Sequence, residues 1–304
     1  MFKWYQNSSL CVVYLKDVDG SEPVSCLPQS KWFNRGFTLQ ELIAPNKLDF
    51  VDKDWNCFYV LSKQRQPSHA PNVDPALQVI ARASRVSLNR LTQSWSQQAL
   101  NRPGISEIMF WASDRDTTRP EDKAYSLMGL FGINMTVQYG EGDHAFSRLQ
   151  RKLLKRHVDD SIFDWDEETT CNLAEQTCFY TQGMLASSAK AFAKRGTLHQ
   201  RSRELDIESP IISIMGQEIS LHGHAYALEV PSVHRSAEFF VLPLIKSDND
   251  LLIMKLRDSW TQYRVSGRTF HDYTCVEPDK CVRTARSMQH FRIALRGTVL
   301  PTPT

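Results

Sequence analysis

One acid stands out for its setting. In SKWFNRGFTLQELIAP, residues 30–45, Glu41 lies among Leu39, Leu42 and Ile43, with Trp32, Phe33, Arg35 and Phe37 just ahead of it. A lone carboxylate at such a helix start can stabilise developing positive charge or move a proton. It can also do no chemistry at all. Thr38 and Glu41 have the T-x-x-E spacing of a capping box, in which the acid reaches back to a backbone amide, a contact worth about 1 kcal/mol. Both uses remain open from the residues alone.

Other clusters carry less. Asp114, Arg115, Asp116, Arg119, Glu121 and Asp122 crowd one loop and helix start, and read as an internal ion-pair network locking the loop to the helix. Tyr139-Gly140-Glu141-Gly142 precedes a helix but has too few glycines for a phosphate cradle. His222 and His224 would share a strand face, yet no further ligand follows at a recognisable spacing, so no metal is expected. The sequence contains no nucleophile elbow, no C-x-x-C pair and no G-x-x-x-x-G-K-[ST] loop, so no cofactor is assigned and the chain holds no nucleotide switch of its own.

Positioning Glu41 requires a scaffold. CVVYL, from Cys11, reads as a buried strand, and LDFVDKDW (48–55) as a second one. With the short helix at Glu41 between them they form a βαβ unit, the signature of a parallel sheet with helices on its faces. The aromatic MFKWYQ ahead of CVVYL reads as the end of a helix. KQRQPSHAPNVDP is a polar loop, and Asp74-Pro75 starts the helix PALQVIARASRV. Thr118, Pro120, Glu121 and Gly132 predict one helix from about Arg119 to Phe131. In EGDHAFSRLQRKLLKRH, Phe146, Leu149, Leu153 and Leu154 make an apolar stripe, and five Lys/Arg residues face the other way as a solvated surface.

Beyond Asp159 the pattern changes. AEFFVLPLI and DLLIMKL flank the turn-rich KSDND, which suits an antiparallel hairpin. The organisation expected is an α/β part with a following helical segment over 1–158, a connection over 159–200, a β-rich region over 201–298 and a disordered tail over 299–304.

Composition is that of an ordinary globular protein: 304 residues, 41% hydrophobic and 23% charged, enough for two cores. The formal charge of +2 gives no overall footprint for nucleic acid. No apolar run approaches the roughly 20 residues of a membrane span, and the start lacks a leader pattern, so the chain reads as cytoplasmic. The 7 scattered cysteines read as reduced and buried.

With those elements placed, four blocks carry a resemblance: MFKWYQNSSLCVVYLKDV, KWFNRGFTLQELIAP, FWASDRDTTRPEDKAYSLMGLFGINM and YGEGDHAFSRLQRKLL. In this order they resemble the fungal heterokaryon incompatibility (HET) domain and the segment after it, strongly over 1–158 and weakly to about Ala193. Domains of this family usually begin upstream of the counterpart of Met1, so the resemblance implies a truncated domain whose sheet lacks its first strands, or an inert fragment. It also implies an effector or signalling role in fungal non-self recognition and programmed cell death, with self-association or a receptor-type signalling protein as partner.

HET domains are in turn distantly similar to Toll/interleukin-receptor (TIR) domains, several of which cleave NAD. That similarity implies a TIR-like, Rossmann-like partial sheet, with Glu41 as the catalytic acid and NAD as substrate. Breaking the nicotinamide–ribose bond releases neutral nicotinamide and builds oxocarbenium character on the ribose, which one carboxylate can stabilise without a metal. Trp32 or Phe37 would stack on a substrate ring, and Arg35 would neutralise the diphosphate.

Overall fold

The computed structural model describes residues 1–63, 74–100, 102–156, 159–163, 165 and 185–193, together with short strands between 211 and 294. The chain divides into two compact units, 1–149 with 188–196, and 150–187 with 197–304.

The first unit is built around a small mixed sheet in the order β1-β2-β3. Helix α1 (Phe2–Gln6) leads into β1 (Cys11–Tyr14), a short helix α2 (Pro23–Cys26) follows, and α3 (Thr38–Ile43) precedes β2 (Lys47–Val51). β1 and β2 are parallel, Cys11 opposite Leu48 and Val13 opposite Phe50, as the βαβ reading requires. The second strand stops earlier than its sequence suggests. The Asp52 carboxylate accepts the amides of Asp54 and Asn56, both at 2.9 Å, and Trp55 takes a left-handed φ of 65°. This turn sends the chain back as β3 (Cys57–Ser62), antiparallel to β2. Val13, Leu48, Phe50 and Leu61 fill the inner face with Leu39, Leu42 and Ile43 of α3.

Asp74 caps α4 (Pro75–Ser84) as its spacing predicts, accepting the Ala76 amide at 2.8 Å. Helices α5 (Leu88–Thr92) and α6 (Ile105–Ala112) follow. The helix expected over 119–131 is two: α7 (Asp122–Tyr125) and α8 (Met128–Phe131), ending at Gly132 with φ of 63°. Two groups break it. The Gln40 side-chain amide donates to the Ser126 carbonyl and draws it out of the helical ladder. Glu121, rather than capping Thr118, accepts the amides of Gly140 at 2.7 Å and Gly142 at 3.1 Å. α9 (His144–Arg156) has the expected stripe, with Phe146, Leu149 and Leu153 buried.

In the second unit the Gln150 side chain brackets Ala186, donating to its carbonyl at 2.9 Å and accepting its amide at 3.0 Å. β4 (Ile211–Met215), β5 (Glu218–Gly223), β9 (Arg264–Val265) and β11 (Gln289–Ala294) form one sheet. β6 (Tyr226–Ala227), β7 (Phe240–Lys246), β8 (Leu251–Leu256) and β10 (Arg268–Thr269) form another. β7 and β8 pair antiparallel across KSDND. The loop 64–73, residue 224, the lead-in ahead of 211 and the tail lie outside the described residues. Among described cysteines, Cys11 is buried as expected, whereas Cys57 is exposed; both are free.

Candidate functional site

The turn ahead of α3 is pinned before Glu41 is reached. Ser30 donates to the Asp17 carboxylate at 2.7 Å and accepts the Trp32 amide, while Asp17 takes the Lys31 amide at 2.8 Å. This drives Trp32 into the core. It is buried, edge-on to Phe33 at 5.1 Å and to Phe50 at 6.2 Å, so its ring serves packing. Phe37 is half-buried at the N-cap of α3. The Arg35 side chain is exposed, and its backbone bridges to Asp116. The three residues therefore have different surroundings.

No capping box forms at Thr38. The helix begins one residue earlier than that arrangement needs, at an N-cap of Phe37 without a side-chain bond. The Thr38 hydroxyl sits 2.5 Å from the Trp32 carbonyl and 2.8 Å from that of Arg35, and accepts Arg115 Nη1 at 2.9 Å. Glu41 instead accepts the Tyr5 hydroxyl at 3.0 Å. Burial and the Glu41 charge push Tyr5 up to about 12, and the same two influences raise the Cys11 thiol to about 11.

Lys63, which the sequence did not single out, closes the far end of α3. It is buried, and its amine donates to the carbonyls of Leu42 at 2.6 Å and Ile43 at 2.7 Å, groups that a helix end leaves without partners. Burial pulls its pKa down to about 7; two hydrogens of a neutral amine serve both carbonyls. Between pH 7 and 10.5 the unfolded chain holds a proton that the folded chain lacks, so stability rises with pH through that window. Cys11 acts oppositely between 9 and about 11. The urea midpoint is expected to climb from pH 7 to about 9, as these values set the windows, and Lys63→Met removes the climb. An equal slope in both proteins refutes the assignment.

A cleft of about 440 Å³ opens on another side of the same turn, between Gly36, the segment 112–117, Lys123 with Ser126, and residues 188–190. Glu41 is not in its lining. Arg115 is central and buried. Its Nε donates to the Trp111 carbonyl at 3.1 Å and its Nη1 to the Arg35 carbonyl at 3.0 Å. Burial lowers its pKa, and the Glu41 charge partly holds it up. The network expected here is thus mostly local pairs: Asp116 with Lys123 at 3.3 Å and Asp114 with Arg85. The 139–142 turn presents its amides to Glu121, so the chain's own carboxylate fills that concavity.

The outer sheet face is a third feature. Val12, Asp49 and Val60 are directly opposite one another in the ladder and so share a face. Both valines are exposed at 48%, and Tyr14 stacks on the exposed Trp55 at 4.6 Å. Asp49 Oδ1 is buried between them and meets no donor.

No protein-family model matches the chain, and no solved structure does. Among curated proteins, the vegetative incompatibility protein HET-E-1 of Podospora anserina is 34% identical over 164 residues, covering 51% of this chain and 11% of that protein.

Proposed function

We propose that this chain, half of which is similar to a vegetative incompatibility protein, acts as an effector or signalling module in fungal non-self recognition, docking a partner to trigger cell death. The 34% identity to an incompatibility protein carries the reading. The outer sheet face supports it: exposed valines beside a stacked Tyr–Trp pair are the material of an interface. The buried, donorless Asp49 oxygen favours a partner that brings a cation.

Induced expression in a filamentous fungus tests this. The parent chain is expected to arrest growth, and Val12→Asp with Val60→Asp to relieve the arrest while the purified variant keeps its fold. Continued growth with abundant, folded parent protein overturns the reading.

A catalytic route is favoured by one observation, the half-buried Glu41 held by Tyr5. In it Glu41 stabilises the ribosyl cation as water replaces nicotinamide on NAD. Purified parent is then expected to consume NAD, and Glu41→Gln to lose at least 100-fold of that rate, on the order seen when one stabilising group is removed. NAD that survives with the folded parent removes Glu41 chemistry and leaves docking alone.

A further inference from the structure

We infer that the cleft around Arg115 is a binding site for a small phosphate-type anion. Charge balance inside the cleft carries this. Its two acids are engaged, Asp114 by Arg85 and Asp116 by Lys123. Two cationic donors are left over. Arg115 Nη2 is buried and meets no acceptor, although Nε and Nη1 of the same guanidinium are fully used. Lys190, also in the lining, is exposed and has no acid beside it among the described residues.

A buried charged donor without an acceptor is costly and rare in folded proteins. A tetrahedral oxyanion supplies what is missing: acceptor oxygens for the unused Nη2 donor and the negative charge that Lys190 lacks. The hydroxyl of Ser188 adds a short-range donor in the same lining. The volume suits a ligand of small-molecule size rather than a protein segment. The inference stands apart from the role of Glu41, which the cleft does not include.

The test uses inorganic pyrophosphate and AMP as probes, with adenosine as the phosphate-free control, titrated calorimetrically into the full chain. Pyrophosphate and AMP are expected to bind saturably, and adenosine not. Lys190→Glu reverses an exposed charge and is expected to weaken pyrophosphate binding at least tenfold. Asp116→Asn, also exposed, frees Lys123 and is expected to tighten it. Opposite shifts from two surface changes are not produced by unfolding. Absence of saturable binding, equal binding of adenosine, or affinities unmoved in both variants overturns the site.

Discussion

Replacing Arg115 with methionine is expected to destabilise the first unit by about 3 kcal/mol, a large share of the roughly 5–15 kcal/mol by which domains are stable. The guanidinium joins the end of α6 to the start of α3 by donating to Trp111, Arg35 and Thr38. Methionine fills similar volume, so the loss comes from carbonyls left without donors rather than from a cavity. Lysine does not rescue it, because one ammonium on a longer tether cannot reproduce the planar fork. Thr38→Val locates the effect: combined with Arg115→Met it should cost less than the sum of the two singles, since they share a bond. Hydrogen exchange of the β2 amides, which reports this unit alone, is the measurement. Strict additivity would show that the contact is incidental.

Phe50→Ala is expected to cost more, about 3–5 kcal/mol. Phe50 is fully buried in the central strand, with Trp32 at 6.2 Å and Tyr59 at 5.9 Å, both inclined to it. Neither ring can collapse into the space without abandoning its own contacts, so the cavity persists. The same exchange measurement, with the urea midpoint, reads the loss. Phe50→Leu should recover more than half of it, and equal losses for alanine and leucine would mean that ring geometry, not volume, holds this core.

These two residues also mark what the sequence could tell. β1, β2, α4 and α9 were legible because their signals are local: β-branched runs, Asp-Pro at a helix start, a 3.6-residue stripe. Phe50 belongs to such a run. The split of 119–131 was not legible, since Gln40 causes it from 86 residues away. At the candidate site, the residue types near Glu41 were readable but their directions were not. Trp32 turns inward because Ser30 and Asp17 pin its turn, and aromatic character alone does not separate a stacking platform from a core ring. Arg115 was read as one charge in a crowd. Its role appears only when Trp111, Arg35 and Thr38 come together in space, and Lys63 gave no signal, because a buried lysine in a polar stretch looks like any other.

The Tyr5–Glu41 bond gives the first turn of the chain leverage. α1 lies against α3 and α8, and Gly129 of α8 comes so near Phe2 that a Cβ there would sit 2.4 Å from the Phe2 Cβ, so the opening helix is seated in a fixed socket. Anything that unseats it withdraws the hydroxyl from the carboxylate and leaves Glu41 without its tyrosine partner.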